Sequence, residues 1–177
     1  MKAENVEELL IERLVLCEDD LFRARRYCAV LKKRDQHKAF TDDRIISEAL
    51  SEALTTSYSR MFTKSKTNTE DIYVHQQVAG SFTKFKKGLI ENLPENNKRM
   101  HERIMYKRHN AYAHTSGKSR NMSHSPSKTV HISHNPYIPY ENTELDLVEY
   151  NIEHFLSGVC TRRDQLVGST EDMHSET

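Results

Sequence analysis

A chain of 177 residues with 36% hydrophobic and 29% charged side chains holds enough apolar material for one buried core. Its 26 Lys plus Arg balance its 26 Asp plus Glu, and five Gly and four Pro are too few for a many-turned β fold, so an all-α architecture is expected. Three widely spaced cysteines exclude a disulfide framework, and no apolar run approaches the ~20 residues of a membrane span. The N-terminus also lacks a basic-then-apolar leader layout, so a soluble, cytoplasmic protein with no membrane partner is expected.

Charge distribution says more than net charge. Between Lys98 and Arg120 stand seven Lys or Arg and one acid, whereas Glu141 to Thr177 carries nine acids and two Arg. A basic middle and an acidic end suit a localised anionic partner, or self-association.

In chain order, Val6, Leu10, Leu14, Cys17, Leu21, Ala24, Cys28 and Leu31 recur at steps of three and four, which makes one apolar stripe along a long helix. Asn5 with Glu8 resembles a capping box at its start. A second helix follows Thr41, with Asp42 and Asp43 suited to the positive end of its dipole. Its inward face is expected to carry Ile46, Leu50, Ala53, Leu54, Tyr58, Met61 and Phe62. Residues 63–71 read as a loop. Ile72 to Val78 fits a strand or a helix, and Phe82, Phe85 and Leu89 then have helical spacing.

Pro94 is placed as the first residue of a basic helix reaching His114, with Met100, Ile104, Ala111 and Tyr112 inward. Lys98, Arg99, Arg103, Lys107 and Arg108 make its other surface basic. Residues 115–141 form a long loop rich in Ser, His and Pro, in which Lys128 to Ser133 can pair as a short strand. Tyr137 and Tyr140 there are weak candidates for stacking on a base. Helicity resumes near Asn142, with Leu147, Val148, Tyr150, Ile152, Phe155, Leu156, Val159 and Cys160 supplying a core face. A single domain is therefore expected over 1–167, followed by a flexible tail over 168–177.

The chemistry concentrates in Arg108–His114, RHNAYAH, followed by Thr115, Ser116 and Gly117. Cleaving RNA without a metal needs a base for the ribose 2′-OH, an acid for the leaving 5′-oxygen, and a cation for charge building on phosphorus. Histidine serves either proton role near neutrality, and arginine grips phosphate oxygens with a fork that never loses its charge. On a continuous helix Arg108 and His114 differ by a rise of ~9 Å and about 120° in direction, so one copy alone makes a poor site. Asn110 shares a face with His114, and His109 points elsewhere. His124, His131 and His134 with His109 offer imidazoles to zinc, but the loop holds no Cys and no Asp or Glu before Glu141. Solvated loop histidines are the plainer reading, and neither a metal site nor a cofactor is expected.

An Arg, a polar residue, a short spacer and a His closing a helix resembles the signature of the HEPN superfamily, and RHNAYAHTS is most similar to its abortive-infection subgroup. The resemblance implies an up-and-down bundle of four to five helices, dimerising with the two motif helices facing each other. It also implies metal-independent endoribonuclease activity that leaves a 2′,3′-cyclic phosphate, in a toxin or defence effector. Carried onto this chain, Arg108 binds and polarises the phosphate and His114 is the acid–base residue. His109 takes the polar position beside the Arg, and Asn110 assists. The basic residues Lys98, Arg99, Arg103 and Lys107 would draw in RNA. Toxins of this superfamily that a nucleotidyltransferase partner silences carry a Tyr two residues beyond the motif His. Ser116 stands there instead, which leaves an antitoxin or regulatory partner open but does not imply that mode of control. Some members are inactive, and the alternative is a catalytically silent helical module that binds nucleic acid or protein.

Overall fold

The computed structural model describes residues 5–34, 42–63, 72–109, 122–124, 130–132 and 139–175. They form five helices: α1 (Val6–Leu31), α2 (Asp42–Arg60), α3 (Ile72–Glu91), α4 (Glu95–Lys107) and α5 (Asn142–Ser175). Between α4 and α5 a two-stranded antiparallel ribbon pairs β1 (Met122–His124) with β2 (Val130–Ile132), with Ser123 opposite His131. The expected all-α bundle is present. The ambiguous segment from Ile72 is helical, and the short strand within 128–133 has its partner in β1.

α1 is the central leg, packed against α2, α3 and α5. Its stripe is buried as the spacing predicts, with Leu10, Leu14, Cys17, Leu21, Ala24, Cys28 and Leu31 all inside. The Asn5 side chain caps it by accepting from the backbone N–H of Glu7 at 3.0 Å. Ion pairs fix the directions of its neighbours. Asp20 meets Arg60 and Arg34 meets Asp43, so α2 runs antiparallel to α1. Glu18 meets Arg163, Arg25 meets Glu153, and Lys32 meets both Asp146 and Glu149, so α5 is antiparallel as well.

α3 and α4 run the same way along α5. Leu89 of α3 lies against Gly158, where a Cβ would collide with its side chain, and Asn97 of α4 meets Asn151 further on. The two are one leg of an up-and-down bundle, broken where the chain tucks Leu93 into the core ahead of Pro94. Pro94 has φ −58° and ψ 154° and serves as the N-cap, one residue earlier than its expected place at the first helical position. At the start of α5 the backbone N–H of Glu141 is bonded to the Glu144 carboxylate at 3.1 Å, a reach-back of the capping-box kind.

Two expectations are corrected. On α2, Leu54, Tyr58 and Met61 lie in the core and Leu50 and Phe62 pack against it as expected, but Ile46 is 42% exposed, and Ser47, Ser51, Thr55 and Ser59 are buried beside the apolar contacts. Small hydroxyl side chains leave room for close approach between α2 and α1, which branched side chains at those positions would prevent. Tyr150 was expected in the core but is 51% exposed, because its neighbours Val148 and Ile152 already fill the inward positions of α5. The last helix runs through Ser175 without a proline, and Leu166 is the last residue of it buried among the described side chains.

The inward serines and outward Ile46 of α2 are testable. The Ser47 and Ser51 hydroxyls are fully buried without a hydrogen-bond partner. Ser47→Ala and Ser51→Ala should therefore hold or raise stability by up to about 1–2 kcal/mol in urea unfolding. Ile46→Ser should stay within about 0.5 kcal/mol, as at an exposed site. A loss of about 2–4 kcal/mol for Ile46→Ser would instead put the isoleucine in the core.

Candidate active site

The motif begins at the end of α4, so what holds α4 in place positions the site. Its inward face alternates apolar and polar contacts: Met100 and Ile104 enter the core, while Asn97, His101 and Lys107 are buried beside them. Each polar group has a partner. The Asn97 side-chain amide donates to the Asn151 side-chain oxygen at 2.8 Å and to the Leu147 carbonyl at 3.2 Å. Asn151 returns a bond to the Asn97 carbonyl at 2.9 Å and reaches the Tyr58 hydroxyl at 3.4 Å. Tyr58 in turn meets His101 Nδ1 at 2.9 Å. With Asn151 donating to the phenol oxygen, the Tyr58 O–H is left to donate to an unprotonated Nδ1. Phe62 and Phe155 close the cluster: the Phe62 ring centroid lies 4.5 Å from that of His101 and 4.9 Å from that of Phe155.

Lys107 is the main departure from the expected basic surface. It is only 8% exposed, and its ammonium sits 4.1 Å from the centre of the Tyr140 ring. The Tyr140 hydroxyl is 2.6 Å from Thr55 Oγ1. Burial, and then the nearby charge of Arg103, bring the Lys107 amine down to about 8, against an opposing pull from Glu144. Lys107 therefore anchors the end of α4 to the start of α5 and to α2, rather than facing solvent. Tyr140 is buried beneath it and cannot stack on a base, while Tyr137 lies outside the described residues.

The other basic residues divide. Arg103 is paired with Glu144 of α5. Arg99 is exposed and lies 3.5 Å from Glu95 one turn back, a weak surface pair, and Lys98 is half-buried. α4 ends at Lys107, and the chain continues through Arg108 and His109 in a wider π-type turn, a feature that often accompanies functional positions. The Arg108 backbone N–H is shared between the Ile104 and Met105 carbonyls. Arg108 is half-buried, His109 is exposed, and a guanidinium nitrogen of Arg108 lies 3.4 Å from His109 Nδ1. The structure thus brings Arg108 and His109 side by side at an accessible helix end. Asn110 and His114, with Ala111 and Tyr112, fall outside the described residues, so the distance from Arg108 to His114 is not part of this geometry.

Sequence reasoning missed His101, Asn97, Asn151 and Lys107 as inward-facing groups. Asn97, His101 and Lys107 do share the helical period of Met100 and Ile104, which was the available signal. Among the described residues no group of three His, Cys, Asp or Glu side chains is placed to hold a metal ion, and no helix is long and apolar enough to cross a membrane. No family model, curated protein or solved structure matches the chain.

Burial lowers His101 from 6.5 to about 4. The unfolded chain takes up a proton on this ring below 6.5 while the folded chain does not until about 4, so stability is fully present above 6.5 and is lost as pH falls through that window. His101→Gln should flatten the stability profile between those limits in denaturant titrations at fixed pH steps. An unchanged slope would mean that the ring is solvated.

Proposed function

We propose that this chain is a metal-independent endoribonuclease of the HEPN type, acting as a homodimer in the cytoplasm as a toxin or defence effector. In the proposed reaction a base takes the proton from a ribose 2′-OH, and that oxygen attacks the adjacent phosphorus. The 5′-oxygen leaves with a proton from the acid, which produces a 2′,3′-cyclic phosphate. Arg108 binds the phosphate and stabilises its growing charge, His114 exchanges the proton, and His109 and Asn110 orient the phosphate or the imidazole. Bringing α4 ends from two copies together supplies from each what one copy lacks.

The observation that carries this reading is the paired Arg108 and His109 at a solvent-accessible helix end. Two features support it: the up-and-down topology, and the inner contacts of Asn97, His101 and Lys107, which hold that end rigidly. RNA attraction falls mainly to Lys98, Arg99 and Arg108, since Arg103 and Lys107 are engaged within the bundle.

Purified protein incubated with mixed RNA in excess EDTA should still cleave and leave cyclic phosphate ends. His114→Ala should lose at least ~10²-fold in rate while staying folded and dimeric by light scattering. Arg108→Lys keeps the charge but loses the planar fork, so it should be nearly as impaired. Full activity in His114→Ala, or loss of wild-type cleavage on chelation, would sink the mechanism. RNA binding without any cleavage would select the catalytically silent module.

The split among the basic residues has its own consequence. Arg99→Ala should weaken RNA binding and flatten its salt dependence. Arg103→Ala should act mainly on thermal stability, because it removes the ion pair that ties α4 to Glu144 of α5. Equal effects of the two substitutions on the salt slope would return Arg103 to the binding face.

A further inference from the structure

We propose that the outward face of α1 is a self-association surface, and that its occupant is a second copy of this chain lying antiparallel across it. α1 buries one stripe against α2, α3 and α5, yet its opposite side is not purely polar. Val15, Asp19, Phe22, Arg26 and Val30 recur there at steps of three and four, so they share one side of the helix. Val15, Phe22 and Val30 are 47%, 37% and 44% exposed. Leu16, one turn before the Asp20 that pairs with α2, is 66% exposed.

Charge is divided along this face, and the division names the occupant. Glu8, Glu12 and Asp19 stand exposed on its N-terminal half, and Arg23, Arg26 and Lys33 on its C-terminal half. A two-fold axis passing between Phe22 and Arg23 brings residues equally far from it to the same height. Asp19 then meets the partner's Arg26, Glu12 the partner's Lys33, and Val15 the partner's Val30, each contact made twice. Phe22, which has Arg25 4.9 Å from its ring centre, comes level with the partner's Arg23. Asp19 already pairs with Arg23 at 2.8 Å, but both side chains stay more than half exposed, so the carboxylate can take a second cation. Arg26 makes no ion pair among the described residues.

Shape agrees with charge. A groove of about 510 Å³ runs beside α1, lined by Arg23, Arg26, Tyr27, Val30 and Leu50. The two-fold axis keeps both α2 helices on one side of the α1 pair, so the partner's Leu16 arrives level with Ala29 at the mouth of that groove. A parallel pair would instead set Glu12 on Glu12, Asp19 on Asp19 and Arg26 on Arg26, and like-charge contacts cost affinity. A uniformly acidic or basic partner would oppose half of the face. The contact uses none of Arg99, Arg108 or His109, so it is separate from the pairing of α4 ends and goes beyond the ribonuclease reading.

Sedimentation at low salt tests the pairing by charge reversal. Asp19→Arg and Arg26→Asp each set like charges at both symmetric contacts, so each should raise the dissociation constant at least ~10-fold. Each should thereby halve the assembly, from dimer to monomer, or from tetramer to dimer where α4 ends also pair. Mixed in equal amounts, the two variants should restore it, because each supplies the charge that the other needs. Leu16→Ser should weaken the assembly with the charge pattern intact. Cysteines report direction: Val15→Cys mixed with Val30→Cys, both in a Cys160→Ser background, should form a mixed disulfide on air oxidation, while neither cross-links to itself. Self-cross-linking of Val15→Cys would mean a parallel pair and overturn the proposal. Single variants that keep the wild-type mass, or a mixture that fails to restore it, would also overturn it and leave the pairing of α4 ends standing. A monomeric wild type would remove both contacts, whereas an α1 pair in a protein that cleaves no RNA would remove only the ribonuclease.

Discussion

The Asn97–Asn151 pair is the constraint on which the motif helix depends. Both side chains are buried, and each satisfies the other as well as a backbone carbonyl, at 2.8, 2.9 and 3.2 Å. A buried amide without a partner costs about 1–3 kcal/mol, so sliding α4 by one residue along α5 would expose that cost at several atoms together. Apolar contacts at Met100 and Ile104 supply cohesion but tolerate many offsets. The amides admit one register, and through Tyr58 and His101 they extend it to α2.

Across the break at Leu93 and Pro94 the inward period is kept, since Met100 lies 18 residues, five helical turns, after Phe82, and a mixed face of Asn97, Met100, His101, Ile104 and Lys107 follows the apolar one of α3 along the same partner, α5. Lys107 and Tyr140 then close the far end, and the chain leaves α4 at Arg108 from a fixed point.

Much of the fold was legible. The α1 stripe is long, regular and built from side chains with no reason to be outside, and α5 reads almost as well from Leu145 to Val159. In α2 the Leu54, Tyr58 and Met61 positions are legible, but serine counts as polar in a pattern search, so the inward Ser47 and Ser51 escape it while the exposed Ile46 does not. Lys107 was misread for a related reason: lysines are rarely buried, and this one is held by a ring 33 positions later in the chain. The local half of the candidate site, Arg108 with His109, is visible in adjacent letters. Its supports are not, since Tyr58 and His101 lie 43 residues apart and Asn97 and Asn151 lie 54 apart.

The burial of two cysteines in α1 gives the bundle a built-in clock. Burial pushes the Cys17 and Cys28 thiols up to about 12, and the Cys28 S–H donates a hydrogen bond to the Leu145 carbonyl oxygen at 3.5 Å. Neither can form the reactive thiolate at neutral pH without parting α1 from its neighbours. Alkylation at these two sulfurs is therefore paced by the opening of the central leg, and its rate reads out local unfolding free energies at two heights of the same helix.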